Sequence, residues 1–239
     1  MKNFKRFAAV ILAVVLLASS LTSCSFLLGG LLGEASAVEL VQGNLDAVYL
    51  GKYSDDYLEM VSMTKEEAEA DYLEGIEVSA DNFAYYWGIL GEDETLNDLE
   101  SGLKADLIDL CKSIYSKAKY EVRGATRMDD GSYAVQVIID PINIMVQATE
   151  IYDNGTYEPL EKFFEENKDL NWETMSDAEY WQYTNEYGAV IVNMFKSLLS
   201  SVEYGTQKTM AMQVVDHGSY IQISDDDFTV FDTYVVTYP

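Results

Sequence analysis

Serine- or cysteine-type nucleophilic chemistry needs a histidine, and His217 is the only one in the chain. It sits in the turn signal Asp216-His217-Gly218-Ser219. A turn tip is exposed and badly placed to hold a base within ~3 Å of a nucleophile, so a solvated turn residue is the plainer reading. There is no Gly-x-Ser-x-Gly elbow and no Ser-x-x-Lys with its partner motifs. Zinc would need three or four His, Cys or carboxylate ligands, and one His with one spare Cys do not supply them. Asp225-Asp226-Asp227, Asp129-Asp130 and Glu92-Asp93-Glu94 are oxygen-rich, yet none follows the calcium-loop pattern Asp-x-[Asp/Asn]-x-[Asp/Asn]-Gly. Weak surface attraction of divalent cations is expected, but no built metal site and no cofactor. Paired carboxylates could hydrolyse a glycosidic bond. With 41 acids, however, some pair falls ~5–9 Å apart by chance, so the pattern has no specificity. Gly51-Lys52 lacks the preceding glycine of a phosphate loop.

Two groups of residues are better binding candidates. Among 18 tyrosines, Tyr85-Tyr86-Trp87 and Tyr180-Trp181 put rings on more than one side of a helix. Trp87 and Tyr180 fall on apolar stripes. Tyr85 and Trp181 fall off them and could stack on a sugar or a peptide, or else pack at the rim between helices and sheet. Lys112, Lys117, Lys119, Arg123 and Arg127 lie within sixteen positions. Strict alternation puts Lys119, Arg123 and Arg127 on one strand face with Glu121. That face is either a local docking surface or a solvated one paired with neighbouring acids.

The elements that must position these residues belong to an exported chain. Lys2, Lys5 and Arg6 precede an apolar run from Phe7 to Leu17, then Ala18-Ser19-Ser20 and Leu21-Thr22-Ser23-Cys24. That order is a secretory signal. The tetrad resembles the lipobox, which implies cleavage after Ser23 and a lipid on Cys24. The other reading is an uncleaved anchor from Phe7 to about Leu32, since a span needs roughly 20 residues. Both place the body outside the cytoplasmic membrane, and cleavage fits the short apolar run better. We therefore expect a signal peptide over 1–23, a lipidated tether over 24–37 and one extracellular domain over 38–239.

The whole chain carries a net charge of -26, with 41 Asp+Glu against 15 Lys+Arg. Removing residues 1–23 removes three basic residues and no acid, leaving 12 basic residues facing 41 acids, or −29. A surface of that sign excludes a nucleic-acid binder, which needs clustered Lys and Arg. Disorder is excluded by 49% apolar and 13% aromatic residues. With Cys24 taken by lipid, Cys111 is left alone, so no internal disulfide is expected in the mature chain. It lies on an apolar helical stripe, where a buried, inert thiol is commoner than a catalytic one.

Helical spacing joins Val38, Val41, Leu45 and Val48. Thr64 with Glu67 makes a capping box for a helix whose stripe runs Ala68, Tyr72, Ile76, Ala80, Phe83, Trp87. A second stripe runs from Leu96 through Leu103, Leu107 and Cys111 to Ala118, with its helix starting near Ser101 because Gly102 weakens the segment. The period then drops to two, and Tyr120 to Thr126, the turn Asp129–Ser132, and Tyr133 to Ile139 read as a hairpin ended by Pro141. The stretch from Asn143 to Asn171 shows only a helix around Leu160 to Asn167. Ser176 with Glu179 caps a helix carrying Tyr180, Tyr183, Tyr187, Val190, Met194 and Leu198. A second hairpin follows over Gln207–Val215 and Tyr220–Ile223, and Ser224 to Asp232 reads as a short capped closing helix. Each hairpin turn ends Gly-Ser-Tyr and is fed by an amphipathic helix. That is either a duplicated unit or the common grammar of α+β folds.

The lipobox, the N-terminal helices, the helix entering a strand as Tyr115-Ser116-Lys117-Ala118-Lys119-Tyr120-Glu121-Val122 and the Asp-Gly-Ser-Tyr turn resemble uncharacterised lipoproteins of Gram-positive bacteria. The resemblance implies a nuclear-transport-factor-2-like or related α+β fold: amphipathic helices packed on an antiparallel sheet of two β-hairpins, cone-like around a cavity. Fold alone does not decide function. The expected function is a non-enzymatic, lipid-anchored module on the outer face of the cytoplasmic membrane, binding an unidentified envelope ligand or protein. The alternative is a carboxylate-based hydrolase of cell-wall glycan, recognisable by two acids with opposed pKa shifts in one apolar pocket. A two-lobed transport receptor is disfavoured by 216 residues and two antiparallel hairpins.

Overall fold

A computed structural model describes residues 33–218 and 220–239. The signal segment, Cys24 and Ser219 lie outside the described residues. Helix α1 (Glu34–Leu45) runs straight into a π-turn (Asp46–Leu50). Helices α2 (Asp55–Val61), α3 (Lys65–Tyr86) and α4 (Ser101–Tyr115) follow. Next come strands β1 (Lys119–Arg127) and β2 (Tyr133–Asp140), then α5 (Ile144–Asp153), α6 (Glu158–Glu166) and α7 (Asp177–Leu198). Strands β3 (Lys208–Asp216) and β4 (Ile221–Ile223) precede the closing helix α8 (Asp225–Val235). The protein is α+β, and the four strands among the described residues form one antiparallel sheet in the order β1-β2-β3-β4. The two hairpins join through β2 and β3, where Val135 pairs with Met212 and Val137 with Met210.

Both expected capping boxes are present: Thr64 and Glu67 open α3, and Ser176 and Glu179 open α7. Each satisfies two N–H groups that a helix start leaves without partners. The α4 stripe is buried as expected, with Leu103, Leu107, Cys111 and Ile114 all in the core. Helix α4 packs between α3 and α7, and α7 also receives α5 and α6. Val135, Val137, Ile139, Met212 and Val214 line the inner sheet face, none more than 1% exposed. That side of the sheet is therefore a packed core.

Four details depart from the sequence expectations. First, α1 starts at Glu34, inside the stretch expected to be tether, and its Ala37 is fully buried. Second, the Val38-to-Val48 stripe is broken by the π-turn. The Gly51 N–H reaches back to the Asp46 carbonyl, and this wider turn carries Ala47 and Tyr49 inward while Val48 stays half-buried. Gly51 ends it at φ 59°, where a Cβ would stand 2.8 Å from the Tyr72 ring. Third, α5 fills a stretch in which no helix was expected before Leu160. Fourth, the buried line of α7 runs through Tyr187, Ile191, Met194, Phe195 and Leu198, so Tyr180 lies at the rim rather than in the core.

The C-terminal segment is tied to the middle of the chain. Pro141 stops β2 as expected, and Ile142 then bridges to Tyr204 on one side and to Val236 on the other. The Ile142 N–H donates to the Val235 carbonyl at 2.8 Å, so the residues after α8 lock onto the exit of the first hairpin.

Candidate binding cleft

Register decides where the strand's charged side chains go. Between Val122 and Ala125, β1 carries a bulge: Val122 pairs with Val137, but Ala125 pairs with Val135. One extra residue reverses the alternation beyond it. Lys119, Glu121 and Arg123 remain on the outer face. Arg127 falls opposite Tyr133, in the same alternation as Ala125. The expectation that Lys119, Arg123 and Arg127 share one face is thus corrected by the bulge. Each cation is also separately engaged or exposed. Arg123 donates to both Glu121 carboxylate oxygens at 3.1 and 3.2 Å, Lys112 stands 4.0 Å from Asp109, and Arg127 is solvent-exposed. The Lys119 ammonium lies 3.7 Å from the centre of the Tyr204 ring, a cation–π contact.

The start of β1 opens a cleft of about 340 Å³. Gln42, Asp46 and Leu50 form one wall, from α1 and its π-turn. Ala118 before β1, Lys119, Tyr120 and Glu121 of β1, Ile138 and Asp140 of β2, and Gln207 before β3 form the rest. The volume falls within the range of small-ligand sites. Ile138, although outward in the strand alternation, is only 8% exposed and gives the cleft an apolar floor. Asp46 Oδ1 accepts from the Tyr120 hydroxyl at 2.8 Å and from Gln42 Nε2 at 3.0 Å. Asp140 Oδ1 accepts from Gln207 Nε2 at 3.0 Å. All three donors are neutral. Among the described residues neither Asp46 nor Asp140 has an ion-pair partner.

Behind this wall lies a tyrosine–aspartate cluster in which Tyr49 and Phe231 are buried and Tyr115, Tyr120 and Asp232 half-buried. The Tyr49 hydroxyl donates to Asp232 Oδ1, and the Tyr49 ring packs 5.2 Å from Phe231 and 5.8 Å from Tyr115. Phe231 in turn meets the Tyr120 ring at 5.8 Å. Burial pushes the Asp232 carboxyl up to about 7, with the Tyr49 hydrogen bond pulling the other way. Burial, then the hydrogen bond to Asp46, raises Tyr120 well above the usual phenol range; burial and Asp232 do the same to Tyr49. Both phenols therefore remain protonated donors.

The other sequence candidates are dispersed. Tyr85 is half-buried on α3. Trp181 is half-buried and packs edge-on against Tyr180, 5.1 Å away, as rim packing would have it. The Tyr180 hydroxyl donates to Glu94 at 3.0 Å. Neither Tyr85 nor Trp181 lines the cleft; Lys119 alone of the proposed ligand residues does. Among the described residues the most exposed large hydrophobic ring is Trp172, at 57%, edge-on to Tyr183 at 4.8 Å. It sits in the α6–α7 loop, outside any periodic stripe, so no sequence pattern marks it. Asp46, Asp140, Gln42 and Gln207 were also missed, because no local spacing marks them. Cys111 is buried, and burial pushes its thiol up to about 12, so it is inert as expected. His217 is exposed in its turn and stacks on Tyr220 at 4.5 Å. No group of three or more metal-ligating side chains occurs among the described residues.

No protein-family model matches the chain, and no curated protein matches it. Among solved structures it is similar to the crystal structure of ycdA, a candidate lipoprotein of Bacillus subtilis subsp. subtilis strain 168, with a TM-score of 0.54 at 12% sequence identity. The match covers 84% of this chain and 56% of that one, so the chain spans little more than half the length of its structural neighbour. At that identity the likeness is one of fold.

Proposed function

We propose that this protein is a lipid-anchored module on the outer face of the bacterial cytoplasmic membrane, and that it binds a ligand or partner without catalysing a reaction. One observation carries the anchor: Leu21-Thr22-Ser23-Cys24 stands at the point where the short apolar run from Phe7 ends. A shared fold with a candidate lipoprotein supports it. Among the described residues no helix is long and apolar enough to cross a membrane, which leaves attachment to the N-terminal segment. Ser25 to Gly33 is nine residues, a reach of at most about 30 Å, so the body would work close to the bilayer. One acyl chain gives marginal attachment, whereas the two or three of a lipoprotein hold firmly.

The binding surface we assign to the cleft at the head of β1. It keeps Lys119 from the sequence candidates and sets aside Tyr85, Trp181, Arg123 and Arg127. The glycan-hydrolase alternative needs a protonated acid facing a substrate cleft. Asp232, the carboxyl raised to about 7, is turned to Tyr49 and does not line the cleft, so the geometry favours binding. Labelled palmitate tests the anchor. Label should enter the wild-type protein and be lost in Cys24→Ala; equal label in both would overturn the reading.

A further inference from the structure

The charge balance of the cleft identifies a ligand class. Of its three carboxylates, Glu121 is neutralised by Arg123. Asp46 and Asp140 are instead held by a phenol and two amides, which fix the position of one oxygen of each without cancelling its charge. Lys119 is paired across the strands with Asp140, yet its ammonium rests on the Tyr204 ring and forms no ion pair with either aspartate. Leu50, Ala118 and Ile138 give the same cleft apolar wall. Two positioned, uncompensated carboxylates beside an apolar floor complement a cation carried on an alkyl stem. The −29 field of the mature chain would concentrate such a ligand at the surface.

We propose that the cleft binds a primary ammonium group on an aliphatic chain, whether a free alkylamine or the lysine side chain of a peptide. The ammonium sits between Asp46 and Asp140, with its methylenes against Ile138 and Leu50. This rests on the cleft being the ligand site. Lys119 is the internal competitor: its own ammonium can swing from Tyr204 toward Asp140, so removing it strengthens binding.

The test titrates the full-length protein in detergent micelles and follows the methyl resonances of Ile138. The probes are 1,5-diaminopentane, N-acetyl-lysine N-methylamide, 1,5-pentanediol and glutarate. The first two should give a saturable shift, and the stronger of them names the source as free amine or peptide. Binding should weaken at least tenfold in Asp46→Asn and in Asp140→Asn, which keep the hydrogen-bond acceptors and remove the charge. It should tighten several-fold in Lys119→Met and be unchanged in Asp226→Asn, an exposed acid on α8. A shift from the diol or glutarate equal to that from the amines overturns the cationic ligand but leaves the cleft as a site. An equal loss in Asp226→Asn shows bulk charge attraction and overturns the ligand class. No shift from any probe removes both the ligand class and the cleft.

Discussion

The pH dependence of stability should be governed in part by Asp232. Its carboxyl is raised from 3.8 to about 7, chiefly by burial. A group raised on folding binds its proton more tightly in the native state. Its contribution to stability is therefore complete below about pH 4, declines as pH rises, and is lost above about pH 7. A shift of about three units corresponds to about 4 kcal/mol at most, and relaxation of the site reduces this to about 2–4 kcal/mol. Asp232→Asn keeps an oxygen to accept from Tyr49 and cannot ionise. At pH 8 it should be more stable than wild type by that amount, a midpoint rise of about 5–15 °C for a domain of this size. At pH 4 the two should unfold together. Thermal unfolding followed by far-ultraviolet circular dichroism at pH 4, 6 and 8 measures the difference, and the other acids cancel between the two proteins. Parallel pH profiles for wild type and Asp232→Asn would refute the reasoning.

Tyr49→Phe removes the donor that lowers the Asp232 pKa, so it should destabilise the protein more at pH 8 than at pH 5, by about 1–3 kcal/mol in denaturant unfolding. Asp227 accepts the Gln213 N–H at 2.7 Å and pins the start of α8 to β3; Asp227→Ala strands that donor and should cost about 1–3 kcal/mol by the same assay. Gly43→Ala would place a Cβ 2.3 Å from Tyr57 Cδ2, and overpacking should destabilise it by about 1–3 kcal/mol, seen as a lowered urea midpoint. Cys111, buried and with its thiol pushed up to about 12, should react with a thiol reagent at pH 8 only after unfolding; fast labelling of the native protein would contradict its burial.

The helices were legible where capping and period agreed. Thr64 with Glu67, Ser176 with Glu179 and the Leu103-to-Ile114 stripe each state one local rule that packing then obeys. Both hairpins were legible from their change to period two and their Asp-Gly-type turns. What escaped were places where backbone geometry changes the count by one residue. The bulge at Val122–Ala125 and the π-turn at Asp46–Leu50 each shift a side-chain pattern, and neither has a residue signature strong enough to be read from a single strand or helix. Helix α5 follows Pro141 through Ile144 and Val146, residues with strand preference. Its helical state is set by packing on α7. The cleft was the least legible feature, because Gln42, Asp46, Asp140 and Gln207 meet only after α1 and the first two strands have packed. Lys119 entered the sequence reading as part of a basic cluster, and in the structure it is one cation beside two unpaired acids.

We propose that the folded body is held at the membrane by a lipid on Cys24. Intact-mass and N-terminal peptide analysis of the protein extracted from the membrane fraction tests it most directly. The mature chain should begin at Cys24 and carry the mass of a diacylglyceryl group on its sulfur. An N-terminus at Met1, or one at Cys24 with a free thiol, would contradict it.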